Sequence, residues 1–135
     1  MEKTILNPPT LAKPSGYAHG VLTVGGRLLV IAGQTGMDNT GRIAAPGNII
    51  AQFQQALANI KEVVAAAGGQ MTDIVKMTVY VTRKTEYQAN LKPIGAAYQS
   101  FFGKYYPAIA LIEVNSLWDE EALIEIESVA VMSEQ

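Results

Sequence analysis

The sequence predicts an α+β fold in the order β-β-α-β-α-β-β, with two helices on one face of a sheet. Three observations predict it. Residues 75–82 alternate between apolar and polar side chains, the period of a half-buried strand. Ile50, Phe53, Leu57, Ile60 and Val64 recur at three- and four-residue steps, the period of an amphipathic helix. Turn-forming residues at Gly25-Gly26, Asp38-Asn39-Thr40-Gly41, Gly68-Gly69 and Gly103 punctuate the rest.

The chain opens with a Pro-rich lead, from Asn7-Pro8-Pro9 to Pro14-Ser15-Gly16, too rigid and polar for a regular element. Strand-like runs at 18–24 and 27–32 flank Gly25-Gly26, which reads as a hairpin turn. The first helix starts at Asn48, a plausible side-chain cap, and stops at Gly68-Gly69. Gln52, Gln55, Asn59 and Glu62 are expected away from its buried face. In the following strand Val75, Met77, Val79 and Val81 alternate with Lys76, Thr78, Tyr80 and Thr82. A second helix carries Ile94, Tyr98, Phe101 and Phe102 on its apolar face, with Pro93 tolerable only in its first turn. Strands at 108–114 and 123–132 close the chain, joined by a polar connection that contains Leu117 and Trp118. The second face of the sheet reads as mostly apolar, and no residues are left over to cover it. Another subunit is the expected cover.

Composition narrows the function. A chain of 135 residues is read as one domain, 1–135, and its 49% apolar content is enough for a core. Ten basic against twelve acidic residues leave a net charge of -2 and no basic run, which argues against nucleic acid as a partner. Without cysteine there is no disulfide, thiolate metal site or thiol nucleophile, and His19 alone makes a histidine metal centre improbable. Met1-Glu2-Lys3-Thr4 does not open a signal peptide, and no apolar run is long enough to span a membrane. A cytoplasmic protein with no membrane partner is the default expectation.

Few residues carry recognisable chemistry. No nucleophile elbow and no phosphate-cradling glycine motif occurs. Glu125 and Glu127 are the exception, since period two places both carboxylates on one strand face, roughly 7 Å apart by the strand rise. Set amid Leu, Ile and Val, Glu125 is expected to have a raised pKa suited to a general base. The competing reading is a solvated strand face or an ion pair across an interface. In Gly16-Tyr17-Ala18-His19-Gly20, small residues surround an aromatic and an imidazole; ligand approach and a turn into the strand explain them equally well. His19 reads first as a hydrogen-bonded histidine at a strand start, and acid/base work is the second reading. Trp118 reads as an interface anchor before a pocket wall, and Tyr105-Tyr106 as packing.

Taken in order, these segments resemble the Rid family (reactive intermediate deaminase, YjgF-type), formerly labelled translation inhibitors or endoribonucleases. The resemblance rests on Gly16-Tyr17, Ala32-Gly33-Gln34, the helix from Ala51-Gln52 to Gly68-Gly69, and Val75-Lys76-Met77-Thr78-Val79-Tyr80-Val81-Thr82. It continues through Tyr98, Phe102-Gly103, Pro107-Ala108 and Ala122-Leu123-Ile124-Glu125-Ile126-Glu127, nearly the whole chain. It implies a chorismate-mutase-like fold with a mixed sheet, assembled as a homotrimer around a central barrel, with a ligand cleft at each subunit interface. It implies cofactor-free hydrolysis of enamines and imines to a keto acid and ammonia. By the same resemblance Tyr17 is the site tyrosine and Glu125 the glutamate that orients water. His19, Ala32, Gly33, Ile109 and Trp118 are the candidate substrate contacts.

Three departures qualify that expectation. Ile109 stands where active family members carry an arginine that clamps a substrate carboxylate, Ala32 replaces a serine, and Gly95 replaces an asparagine. The lost contact comprises two charge-assisted bonds of roughly 1.5–3 kcal/mol each, so carboxylate binding weakens on the order of a hundredfold or more. Two readings follow. One is an imine or enamine hydrolase whose substrate is not a standard 2-imino acid; the other is a trimeric metabolite-binding protein without chemistry. The enzyme is preferred because an unused buried carboxylate is costly to keep. Ribonuclease activity is the weakest reading, with neither a basic patch nor paired histidines.

Overall fold

The computed structural model describes residues 1–134. Six strands, three α-helices and one turn of 3-10 helix follow in the order β1 (Glu2–Leu6), β2 (Gly20–Val24), β3 (Arg27–Thr35), α1 (Ile49–Ala66), the 3-10 turn (Met71–Asp73), β4 (Ile74–Val81), α2 (Lys84–Ala89), α3 (Leu91–Phe102), β5 (Ala108–Glu113) and β6 (Ile124–Met132).

The strands form two sheets. β3, β6, β4 and β5 lie side by side in that order, with β4 and β5 parallel and the other pairs antiparallel. Parallel neighbours need a crossover, and α2 and α3 supply it. β1 and β2 form a separate antiparallel pair. The expected 18–24/27–32 hairpin is therefore corrected. Gly25 and Gly26 do turn the chain with positive φ, 75° and 90°, but β2 then pairs with β1 and β3 with β6. The N-terminal strand β1 went unpredicted because Lys3 and Thr4 interrupt its apolar residues. The expected second helix is α3, and a short helix α2 (Lys84–Ala89) that the sequence does not announce precedes it. Pro93 sits in the first turn of α3, where it takes no hydrogen bond from the helix.

Helix α1 is capped at both ends as its sequence dictates. The Asn48 side chain accepts from the Ala51 N–H at 3.0 Å. At the other end Gly68 adopts φ 82°, and the N–H groups of Gly68 and Gly69 donate back to Ala65 and Val64 at 2.9 and 3.0 Å. Its buried stripe of Phe53, Ala56, Leu57, Ile60 and Val64 packs with Ile94, Ala97, Tyr98 and Phe102 of α3 over Met77, Val79, Ile124 and Ile126 of the sheet. Each such fully buried side chain contributes about 1.5–3 kcal/mol. One member of the stripe is unexpected. Gln52 is wholly buried: its Nε2 donates to Ala45 O and Glu121 O at 3.0 and 3.1 Å, and its Oε1 accepts from Leu123 N at 2.8 Å. A side chain read from its polarity as outward-facing is the clasp that ties the loop before β6 to the helix.

The second sheet face is mixed rather than mostly apolar. Leu28 and Val30 on β3 are 69% and 71% exposed. By the strand registers, Val129 of β6 and Ala110 and Ile112 of β5 share this face with Lys76, Thr78, Tyr80, Glu125 and Glu127. No helix among the described residues is long and apolar enough to cross a membrane.

Candidate functional site

The site residues fall on two sides of one sheet. On the helix side, the N–H of Ala18 donates to Pro107 O at 2.9 Å, and Ala18 bridges Ala108 in parallel fashion. This pins the preceding Tyr17 beside the outer strand β5. There Tyr17 lines a cavity of about 440 Å³ closed by Phe53 of α1, Tyr87 of α2, Leu91, Ile94 and Tyr98 of α3, and Met77, Val79, Ile109 and Leu111 of the sheet. Ile109 faces inward because it pairs with the buried Met77 across β4 and β5. Its position on the cavity wall is where the resemblance expects a cation, and none of the lining residues carries a charge. Tyr98 donates its hydroxyl to Tyr105 O at 2.6 Å and stacks on Phe102 and Tyr106, with ring centroids 4.4 and 5.0 Å away.

On the opposite face, Glu125 and Glu127 point away from the helices as period two requires. Strand pairing sets Tyr80 beside Glu125 and Thr78 beside Glu127. The Tyr80 hydroxyl donates to Glu127 Oε1 at 2.8 Å, and that bond, followed by the nearby carboxylates, pushes the Tyr80 phenol above its ordinary value. Glu125 lies over Gly33: a β-carbon there would overlap Glu125 Oε2 and come within 2.9 Å of its Cδ. Gly33 sits where the β3–β6 register shifts, between Ile31 and Gln34. Such a bulge re-aims side chains locally.

One expectation about Glu125 is corrected by the geometry. The carboxylate is not enclosed by its aliphatic neighbours: Ile124 and Ile126 are fully buried on the helix side, while Glu125 is half-buried on the other. The alternation that aligns the two glutamates also separates them from the isoleucines. Tyr17 and Glu125 consequently do not share a cavity within one chain, because the sheet stands between them.

The remaining candidates divide in the same way. His19 Nε2 donates to Ala12 O at 2.6 Å and its backbone N–H to Asn7 Oδ1 at 2.8 Å, so the imidazole ties down the Pro-rich lead. Its ring meets Tyr17 edge-on at 5.2 Å, which makes it a support for Tyr17. Ala32 is exposed on β3 beside Gly33. Trp118 is 99% exposed on its loop and is not a cavity wall in the single chain. Tyr87, Leu91 and Tyr106 also line the cavity. The sequence reads Tyr106 as packing and does not single out Leu91 or Tyr87, since α2, which brings Tyr87, lacks a periodic apolar stripe.

Comparison with known proteins agrees with this architecture. The family model described as Endoribonuclease L-PSP matches residues 10–132. The 2-iminobutanoate/2-iminopropanoate deaminase of Escherichia coli K12 is 34% identical, over 97% of this chain and 98% of its own length. The goat protein of the same name (Capra hircus) is 34% identical over 85% of this chain and 79% of its length. Among solved structures, a Yersinia pestis protein of the conserved Rid family, described as of unknown function, superposes with a TM-score of 0.86 at 38% identity, covering 98% of this chain and all of that one. The E. coli YjgF gene product gives 0.65 at 33% identity, over 93% of each chain. With the fold, the segment order and near-complete coverage in agreement, the chain belongs to the Rid (YjgF-type) family, whose sequence model carries the Endoribonuclease L-PSP description.

Proposed function

We propose that this protein is a cofactor-free imine or enamine hydrolase working in a cleft between subunits of a homotrimer, on a small metabolite that is not a standard 2-imino acid. The observation that carries the reading is the placement of Tyr17 and Glu125 on opposite sides of one sheet, each retained at the position the family resemblance gives it. A cavity on one copy meeting the open sheet face of the next reunites them. The deaminase names of the relatives support the reaction class.

In that cleft Glu125 takes a proton from water as the water oxygen adds to the imine carbon. Tyr17 donates a hydrogen bond to the reacting nitrogen, stabilising the tetrahedral adduct. Glu125 passes that proton to the nitrogen, giving a neutral carbinolamine, then takes the adduct's hydroxyl proton and delivers it to the nitrogen as the C–N bond breaks, so that the carbonyl group forms and ammonia leaves. One water is consumed and no redox change occurs. Ile109 offers no partner to a substrate carboxylate, which separates this chain from an enzyme built around such a contact.

The competing reading is a trimeric metabolite-binding protein without chemistry, favoured by Ile109, Ala32 and Gly95 together. Hydrolysis of 2-iminobutanoate generated in situ distinguishes the two, comparing wild type, Glu125→Gln and Ile109→Arg. The enzyme reading expects slow wild-type turnover, a gain in Ile109→Arg and loss in Glu125→Gln. No activity in either wild type or Ile109→Arg favours binding alone.

A further inference from the structure

The cavity beside Tyr17 has a chemical character of its own. Its walls are aliphatic at Met77, Val79, Leu91, Ile94, Ile109 and Leu111, and no lining residue is charged. A buried carboxylate would find no counter-ion there and would bear an uncompensated desolvation cost. The polar equipment is phenolic. The Tyr98 hydroxyl is committed to Tyr105 O. Tyr17, Tyr87 and Tyr106 line the cavity as well. Burial pushes the Tyr87 phenol above its ordinary value, so it stays a neutral donor. On α3, Gly95 opens the cavity further: a β-carbon there would meet nothing within 4 Å.

We propose that this cavity binds the uncharged body of the substrate, a flat or branched apolar group presenting one hydrogen-bond acceptor to the phenols of Tyr17, Tyr87 or Tyr106. The proposal rests on the hydrolase reading for the word substrate, but its binding preference stands independently of turnover. The cavity volume is within the range of small-ligand sites. Neutral amides, ketones and imines of apolar compounds satisfy the lining; carboxylates do not.

Two probes of nearly one shape test this on the assembled protein: benzamide and benzoate, each titrated by calorimetry. Benzamide is expected to bind at least about tenfold more tightly than benzoate, from the cost of desolvating an unpaired carboxylate. Gly95→Leu fills the open space with a good helix former, so the fold is kept while benzamide affinity falls by about tenfold or more. Ile109→Arg is expected to reverse the order in favour of benzoate. Equal or tighter binding of benzoate to wild type overturns the proposal. So does absence of benzamide binding, or an affinity unmoved by Gly95→Leu. The benzamide preference is read without turnover, so a failed hydrolase reading appears as absent turnover and not as a lost binding preference.

Discussion

The Glu125 carboxylate rests on the backbone of Gly33, in space that a β-carbon at that position would take. The glycine at the bulge of β3 thus sets where the carboxylate stands on the open sheet face. Because the clash is with the far end of a flexible side chain, Gly33→Ala displaces the carboxylate without disturbing the sheet. The expected outcome is a melting temperature within about 3 °C of wild type and turnover lowered by about tenfold or more, since small misplacements of a reacting group are expensive. Differential scanning calorimetry alongside the hydrolysis assay reads both. An unchanged rate removes Gly33 from the positioning of Glu125.

Gln52 offers the opposite case, a polar residue whose loss damages the fold first. Its amide satisfies Ala45 O, Glu121 O and Leu123 N inside the core. Gln52→Leu fills similar space but orphans those three backbone groups, at about 1–3 kcal/mol for each one left buried and unpaired. Urea denaturation should show destabilisation of about 2–4 kcal/mol with relief of the groups that reach water. Loss below about 0.5 kcal/mol, the scale of ordinary surface substitutions, would show that the clasp is dispensable.

The tyrosine cluster predicts an alkaline limit to stability. Burial, then the proximity of Asp73, pushes the Tyr105 phenol up to about 12, and burial, then Tyr106 and Tyr105, pushes Tyr98 further up. A phenol whose folded pKa exceeds its unfolded value of about 10 contributes stability that is fully present below about pH 10. That contribution is lost as pH rises from there through the folded value. Stability should therefore be flat with respect to these groups at neutral pH and decline above about pH 10. In tyrosinate absorbance, part of the six-tyrosine signal should appear only with unfolding. A single transition of all six near pH 10 in folded protein would contradict it.

Much of this was legible in the sequence because it depends on local period and local caps. The 50–64 stripe, the Asn48 cap, the Gly68-Gly69 stop and the 75–82 alternation all appear as read. Tyr17, Glu125 and the departure at Ile109 were singled out by the resemblance and not by local period. What escaped was set by distant partners. Whether β2 pairs with β1 or β3 depends on which strand reaches it, and a two-glycine turn serves either outcome. Gln52 is inside because three backbone groups far apart in sequence converge on it. The environment of Glu125 was misread by sequence adjacency, when a strand sends adjacent residues to opposite faces. Tyr87 and Tyr106 reach the cavity only because the crossover folds them over β5.

The separation of Tyr17 from Glu125 by the sheet is the centre of this account, and mixed assemblies test it most directly. Tyr17→Phe and Glu125→Gln are each expected to abolish hydrolysis of an imine that wild type turns over. Unfolded together at equal amounts and refolded, the two variants recombine at random in a cyclic assembly. About a quarter of the clefts then carry both intact residues, one from each copy. The account predicts recovery of about a quarter of wild-type turnover in the mixture. A mixture as inactive as either variant alone, with subunit exchange shown by native mass spectrometry, would mean that both residues act within one chain and would contradict the shared cleft.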